Sequence, residues 1–205
     1  MSLVSIRTAT PNVGKSVLVA ERARTLGDIY ARNGARVRVA RVIAGDGAGQ
    51  IYLSAGFDDG KSMAQIFEKV QADPSFARLR EERELNPAGS ASGPEVYRTV
   101  SGQQEPGYPV ILMREYTVSR DKQAGILALI PELDALAKPH DIKIMTAVPV
   151  FSSDMGRLIA VYYYRSTGHL GAAIDGVGMS AEFQSIVARA AEFGSLTKSR
   201  VLMSM

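Results

Sequence analysis

The sequence predicts an α+β protein made of two tandem βαββαβ repeats, packed sheet to sheet as one barrel. Three observations carry that expectation. Segments of strand and helix character follow in the order strand, helix, strand, strand, helix, strand, and then the order starts again. The two runs register at one shift: Arg7 falls on Arg114, and 114 − 7 = 107. A four-stranded antiparallel sheet with helices on one face also leaves its other face bare, and a second copy can cover it.

Residues 3–9 alternate in character and read as the first strand. Asn12 can cap the next helix, residues 13–32, where Val17, Leu18, Leu26 and Ile29 stand at helical spacing. Asn33-Gly34 ends it. Residues 35–44 and 50–57 read as strands joined through Gly45-Asp46-Gly47-Ala48-Gly49, whose glycines supply the positive φ of a tight connection. Residues 61–72 and 74–85 are helical, the second opened by Asp73 as cap and Pro74 at its first position. Residues 95–101 close the first unit. The second runs through strand 110–116, a helix over 121–137 interrupted at Pro131, strands 142–150 and 157–164, helices 168–177 and 181–193, and strand 200–203. The expected organisation is a first repeat over 1–102, a Gly- and Pro-containing linker over 103–109, and a second repeat over 110–205.

At the 107-residue shift the halves share Arg7 with Arg114, Thr10 with Thr117, Lys15 with Lys122 and Leu26 with Leu133. They also share Ala40 with Ala147, Gly49 with Gly156, Val70 with Val177 and Phe76 with Phe183. Gly89-Ser90-Ala91-Ser92-Gly93 is expected to lack a counterpart in the second half. On this element order and repeat, the chain resembles the dimeric α+β barrel superfamily in a fused, pseudo-dimeric form, and more loosely its NIPSNAP-like members. The resemblance covers nearly the whole chain and implies two ferredoxin-like repeats. That superfamily includes cofactor-free monooxygenases, haem-degrading enzymes and chlorite dismutase-like proteins, so it leaves the chemistry open.

Composition removes several classes. There is no cysteine, which excludes disulfides and thiolate chemistry and fits a reducing compartment. With 46% hydrophobic and 22% charged residues the chain can build a sizeable core. No run approaches the roughly 18 apolar residues of a membrane span, and residues 1–10 do not read as a signal peptide; a cytoplasmic location without membrane contact is expected. The net charge of +3 is mild, and Arg36, Arg38 and Arg41 lack interleaved aromatics, so no nucleic-acid partner is expected. Assembly into homo-oligomers is left open.

Ala9-Thr10-Pro11-Asn12-Val13-Gly14-Lys15-Ser16 satisfies a relaxed phosphate-loop pattern between a strand and a helix. Against a nucleotide hydrolase stand Ala9 in place of the first glycine, an alternating strand where a buried parallel strand should be continuously apolar, and the lack of a guanine-reading string. His140 and His169 have no histidine counterparts, so no metal site is expected and no cofactor is assigned. The resemblance would allow His169 to ligate a haem; the plainer reading is a surface histidine.

The remaining constellation is positional. Val4, Ile6 and Thr8 share one strand face, expected to meet the helices; Arg7 shares the other, and Arg114 and Tyr116 hold equivalent places in the second repeat. Tyr52 and Tyr163 lie opposite in parity to Leu53 and Tyr162. Strand parity makes Glu115 a poor partner for Arg114. Arg7, Arg114, Tyr52, Tyr116 and Tyr163 are therefore the candidate ligand-binding set, lining a cavity between the sheets for a small, acidic organic molecule. The competing readings are a cofactor-independent monooxygenase or isomerase in the same cavity, a structural barrel filled with side chains, and the nucleotide hydrolase.

Overall fold

The computed structural model describes residues 2–205. The first half comprises β1 (Leu3–Pro11), α1 (Ser16–Arg32), β2 (Arg36–Gly45), β3 (Ile51–Phe57), α2 (Gly60–Ala72), α3 (Pro74–Leu85) and β4 (Gly89–Ser101). The second comprises β5 (Val110–Val118), α4 (Gln123–Leu127), α5 (Ile130–Ala137), β6 (Lys143–Phe151), β7 (Arg157–Tyr164), α6 (Thr167–Asp175), α7 (Ala181–Ala191) and β8 (Gly194–Ser204). Corresponding elements begin at Leu3 and Val110, Ser16 and Gln123, Arg36 and Lys143, Gly60 and Thr167, and Pro74 and Ala181. Each is the same 107 residues apart, for example 110 − 3 = 107. The helix opposite α1 is split because Pro131 cannot donate into the ladder of a continuous helix, and it sits instead in the first turn of α5.

The strands form a closed barrel in the order β1-β3-β2-β8-β5-β7-β6-β4, antiparallel throughout. Each half contributes the ferredoxin-like order of four strands. Two seams join the halves: β2 on β8, with Ala40 opposite Ser204, and β4 on β6, with Thr99 opposite Ala147. Closure leaves no unpaired sheet edge.

The Gly89–Gly93 stretch corrects the sequence reading. It is the start of β4, and its counterpart is the start of β8. A Cβ on Gly89 would lie 2.3 Å from the Thr10 carbonyl oxygen, and one on Gly194 would lie 2.6 Å from that of Thr117. Thr10 and Thr117 are themselves repeat equivalents. Small residues are there because the neighbouring backbone comes too close for a side chain, which removes the apolar alternation that marks a strand.

Through their middles the strands are covered on both faces, one by the barrel interior and one by helices, while the ends such as 90–93 of β4 and 195–198 of β8 are exposed. The interior is packed with side chains, among them Val4, Val42, Tyr52, Met113, Ile159, Tyr163 and Leu202. Outside it, Leu3, Leu53, Ala55 and Phe57 meet Ile29, Ile66 and Val70 of α1 and α2. Val110, Ala160, Tyr162 and Tyr164 meet Ala137, Leu170 and Ala173 of α5 and α6. The segment between β4 and β5 is part of the core: Tyr108 from it is 4% exposed and joins the interior cluster. Arg38 holds that segment by donating to the backbone carbonyls of Tyr108 (2.7 Å) and Glu105. The Tyr108 hydroxyl donates to Asp141 at 2.6 Å, and the Arg165 guanidinium lies 4.0 Å from its ring centroid. No helix among the described residues is long and apolar enough to cross a membrane.

Candidate functional site

The parity relations within the strands hold, but the faces of β1 and β5 are exchanged. Tyr52 and Tyr163 point into the barrel. Arg7, Arg114 and Tyr116 point to the helices, where two cavities lie between sheet and helices. The five residues therefore do not share one space between the sheets. Alternation shows which residues share a face but not which face closes inward, because apolar residues line both. The space between the sheets is filled: by apolar side chains through its middle, and by charge at one end.

That charged end brings together residues the sequence reading passed over. Glu115 is 6% exposed and Arg200 4%. Arg200 Nη2 lies 2.9 Å from Glu115 and 2.8 Å from Asp46. Arg157 Nε lies 3.4 Å from Glu115, and its Nη1 lies 2.7 Å from Glu95 and 2.9 Å from the Tyr97 hydroxyl. Burial opposes ionisation of Glu95, but donors from Ser153 and Tyr97, with the charge of Arg157, outweigh it and hold its carboxyl down at about 2. Burial pushes the Glu115 carboxyl up against the pull of Arg157. With two guanidinium groups on its oxygens, the carboxylate is the form that satisfies the contacts. Each charge has an opposite charge beside it, although Arg200 Nε is itself buried without a hydrogen-bond partner, so this network braces the barrel mouth. Its sequence signal was the placement of Glu115 on the face opposite Arg114.

The first cavity, of about 560 Å³, lies between α1, α3 and the sheet of the first half. Its apolar wall includes Leu26, Leu53, Phe76 and Leu79. Arg7 reaches in from β1, and Arg80 and Arg83 stand along α3 at its rim. Arg22 is already engaged, held by Glu82 at 3.0 Å and by the Asn86 carbonyl at 2.9 Å, which ties α1 to α3. Arg7 is different. Among the described residues its only hydrogen bonds are long, 3.4 Å to the Gly93 carbonyl and 3.5 Å to the Tyr30 hydroxyl. Its Nε is buried without a partner, and it forms no ion pair among the described residues. A desolvated cation without a counter-charge is costly, by several kcal/mol when fully buried.

The second cavity, of about 130 Å³, is the repeat equivalent of the first. Arg7, Leu26, Phe76, Ile51 and Leu79 in one answer to Arg114, Leu133, Phe183, Leu158 and Ile186 in the other. Three of the identities shared by the halves, Arg, Leu and Phe, thus line both. The rims differ: Arg22, Arg80, Arg83 and Glu84 are replaced by Leu129, Val187, Ala190 and Ala191. Arg114 lies 5.7 Å from the Tyr162 ring centroid and 6.0 Å from that of Phe183, and its Nε is also buried without a partner. Burial, the first cause, together with the neighbouring Tyr116, raises the Tyr162 hydroxyl far above the ordinary tyrosine range, so it stays neutral.

Within the phosphate-loop string, residues 12–15 form an exposed turn between β1 and α1. Val13 is fully exposed, and Lys15 stands before α1 with no side-chain cap. Both ring nitrogens of His169 are occupied: Nδ1 accepts from the Arg165 backbone N–H at 3.1 Å, and Nε2 donates to the His140 carbonyl at 2.8 Å. That clasp leaves no lone pair for a haem iron. No cluster of three or more metal-ligating side chains occurs among the described residues.

No protein-family model matches the sequence, and no curated protein matches it either. Solved structures do match in shape. A candidate monooxygenase from Lactobacillus acidophilus NCFM superposes with a TM-score of 0.68 at 9% identity, covering 99% of this chain and 93% of that one. An anthrone oxidase-like protein gives 0.68 at 12% identity, covering 100% and 91%. A ferredoxin-fold protein from Listeria monocytogenes 4b F2365, related to antibiotic biosynthesis monooxygenases, gives 0.51 at 10%, covering 100% and 95%. None of the three is described as a NIPSNAP relative. At such identities the likeness concerns architecture alone, and the chain has the ferredoxin-fold α+β barrel architecture of these proteins.

Proposed function

We propose that the protein binds an acidic organic molecule in the first cavity, between the sheet and helices α1 and α3, with Arg7 receiving its carboxylate. The carrying observation is the Arg7 guanidinium, which is half-buried beside a cavity of about 560 Å³ and has no ion-pair partner among the described residues. That volume is ordinary for a small-molecule site. Leu26, Leu53 and Phe76 offer an apolar wall for the body of the ligand, and Arg80 and Arg83 bias the entrance toward anions. The planar guanidinium suits a bidentate carboxylate. Among the lining side chains Glu84, exposed at the rim, is the sole carboxylate and there is no histidine, which favours binding over acid–base turnover.

Naphthalene-1-carboxylate tests the reading by calorimetry. Saturable one-to-one binding is expected, weakened at least about tenfold, or about 1.4 kcal/mol, by Arg7→Met and unchanged by Arg114→Met. Equal affinity of the wild type and Arg7→Met would refute it.

A further inference from the structure

We propose that the cavity of the second half is a separate site for a small, apolar monocarboxylic acid of benzoate size, with Arg114 as the carboxylate holder. This goes beyond the first-cavity reading and stands on different residues. The two cavities occupy equivalent places in the repeat, and both keep the arginine at the same point of the first strand. Around Arg114, however, the other charges are gone. Leu129, Val187, Ala190 and Ala191 stand where Arg22, Arg80, Arg83 and Glu84 stand in the first cavity. A single cation in an apolar chamber selects one carboxylate and rejects further charge, since a second anionic group would find no partner.

The geometry also fixes the size. The cavity measures about 130 Å³, close to the roughly 150 Å³ of an apolar protein cavity that accepts benzene. Ile126, Leu133 and Ile186 supply the wall for a ring or a short branched chain. Tyr162 and Phe183 lie within about 6 Å of the guanidinium carbon, so the cation is supported on aromatic rings rather than by an acid. Arg114 forms no ion pair among the described residues, and its Nε has no partner. A bound carboxylate would supply the missing counter-charge.

The test is fluorine NMR of the full chain with 4-fluorobenzoate, with neutral 4-fluorotoluene as the uncharged control. Saturable binding of the acid is expected, with affinity at least about tenfold above that of the toluene. Arg114→Met should abolish that preference, and Arg7→Met should leave it intact. Val187, 40% exposed at the α7 edge of the cavity, gives a second variant that does not disturb the core. Val187→Phe should block entry and weaken binding at least tenfold, and it decides the matter if Arg114→Met does not fold. No saturable binding, equal binding of acid and toluene, full binding by Val187→Phe, or loss through Arg7→Met but not Arg114→Met would each overturn the proposal. The last outcome would place the acid in the first cavity and leave that reading standing.

Discussion

Replacing Arg157 by Met should lower stability in a manner that depends on pH. Arg157 bridges Glu95 and Glu115 inside the barrel mouth, at 2.7 and 3.4 Å. Methionine keeps much of the apolar stem and removes the charge. Breaking a fully buried pair costs about 3–5 kcal/mol. The side chains of Arg157 and Glu95 are 18% and 25% exposed, and Glu115 keeps Arg200, so about 2–3 kcal/mol is expected. For a chain of this length that is a fall in Tm of about 5–10 °C at pH 7. The sign with pH follows from the two carboxyls. Glu95 is held at about 2 in the folded protein, so its contribution is present above the ordinary carboxylate range and lost as pH falls toward 2. Glu115 is pushed up by burial, so its ionised form is the costly one, and losing Arg157 raises that cost at neutral pH. The Glu115 effect is lost by pH 4, below its raised range, whereas the Glu95 effect persists until the pH nears 2. Thermal denaturation at pH 7 and pH 4 should therefore show a deficit that is smaller at pH 4 by the Glu115 share and still present through Glu95. A fall below about 1 °C at pH 7, or an equal fall at both values, would refute the assignment of these charges.

Two further predictions concern the frame. Gly89→Val should destabilise by about 1–3 kcal/mol through the close approach of the Thr10 carbonyl. Gly171→Ala, where nothing lies within 4 Å, should gain about 0.5–1 kcal/mol in the helix; chemical denaturation of both variants checks the contrast, and equal effects would contradict it. Lys15→Ala should change neither stability nor any nucleotide affinity, and magnesium-dependent micromolar binding of GTP or ATP lost on this substitution would revive the phosphate-loop reading.

Much of the frame was legible because it rests on periodicity and turn chemistry. The 107-residue shift located five pairs of corresponding elements, and Pro131 marked the break before α5. The final strands were read too short, since Gly89 and Gly194 answer to a neighbouring carbonyl that no local pattern reveals. The candidate residues could be picked out in the sequence, but their place in the fold could not. Arg7 and Arg114 stood out as a repeated pair, but a strand covered on both sides does not announce which face turns inward. The same exchange of faces explains the neglect of Glu115, whose partners Arg157 and Arg200 come from β7 and β8. Arg200 lies 85 residues along the chain, by 200 − 115 = 85, and sequence neighbours cannot signal such a contact.

The joining segment over the barrel end has a consequence for symmetry. Two identical subunits closing such a barrel would present the same residue twice, so any change in one compartment would be copied into the other. Here a single polypeptide passes once across one mouth through Tyr108, while the opposite mouth is held by salt links. Each position is therefore unique, and its chemistry can drift alone. That freedom lets one compartment keep a ring of arginines while its counterpart turns greasy. A fused chain of this kind can hold two unlike chambers, which no symmetric pair of subunits can provide.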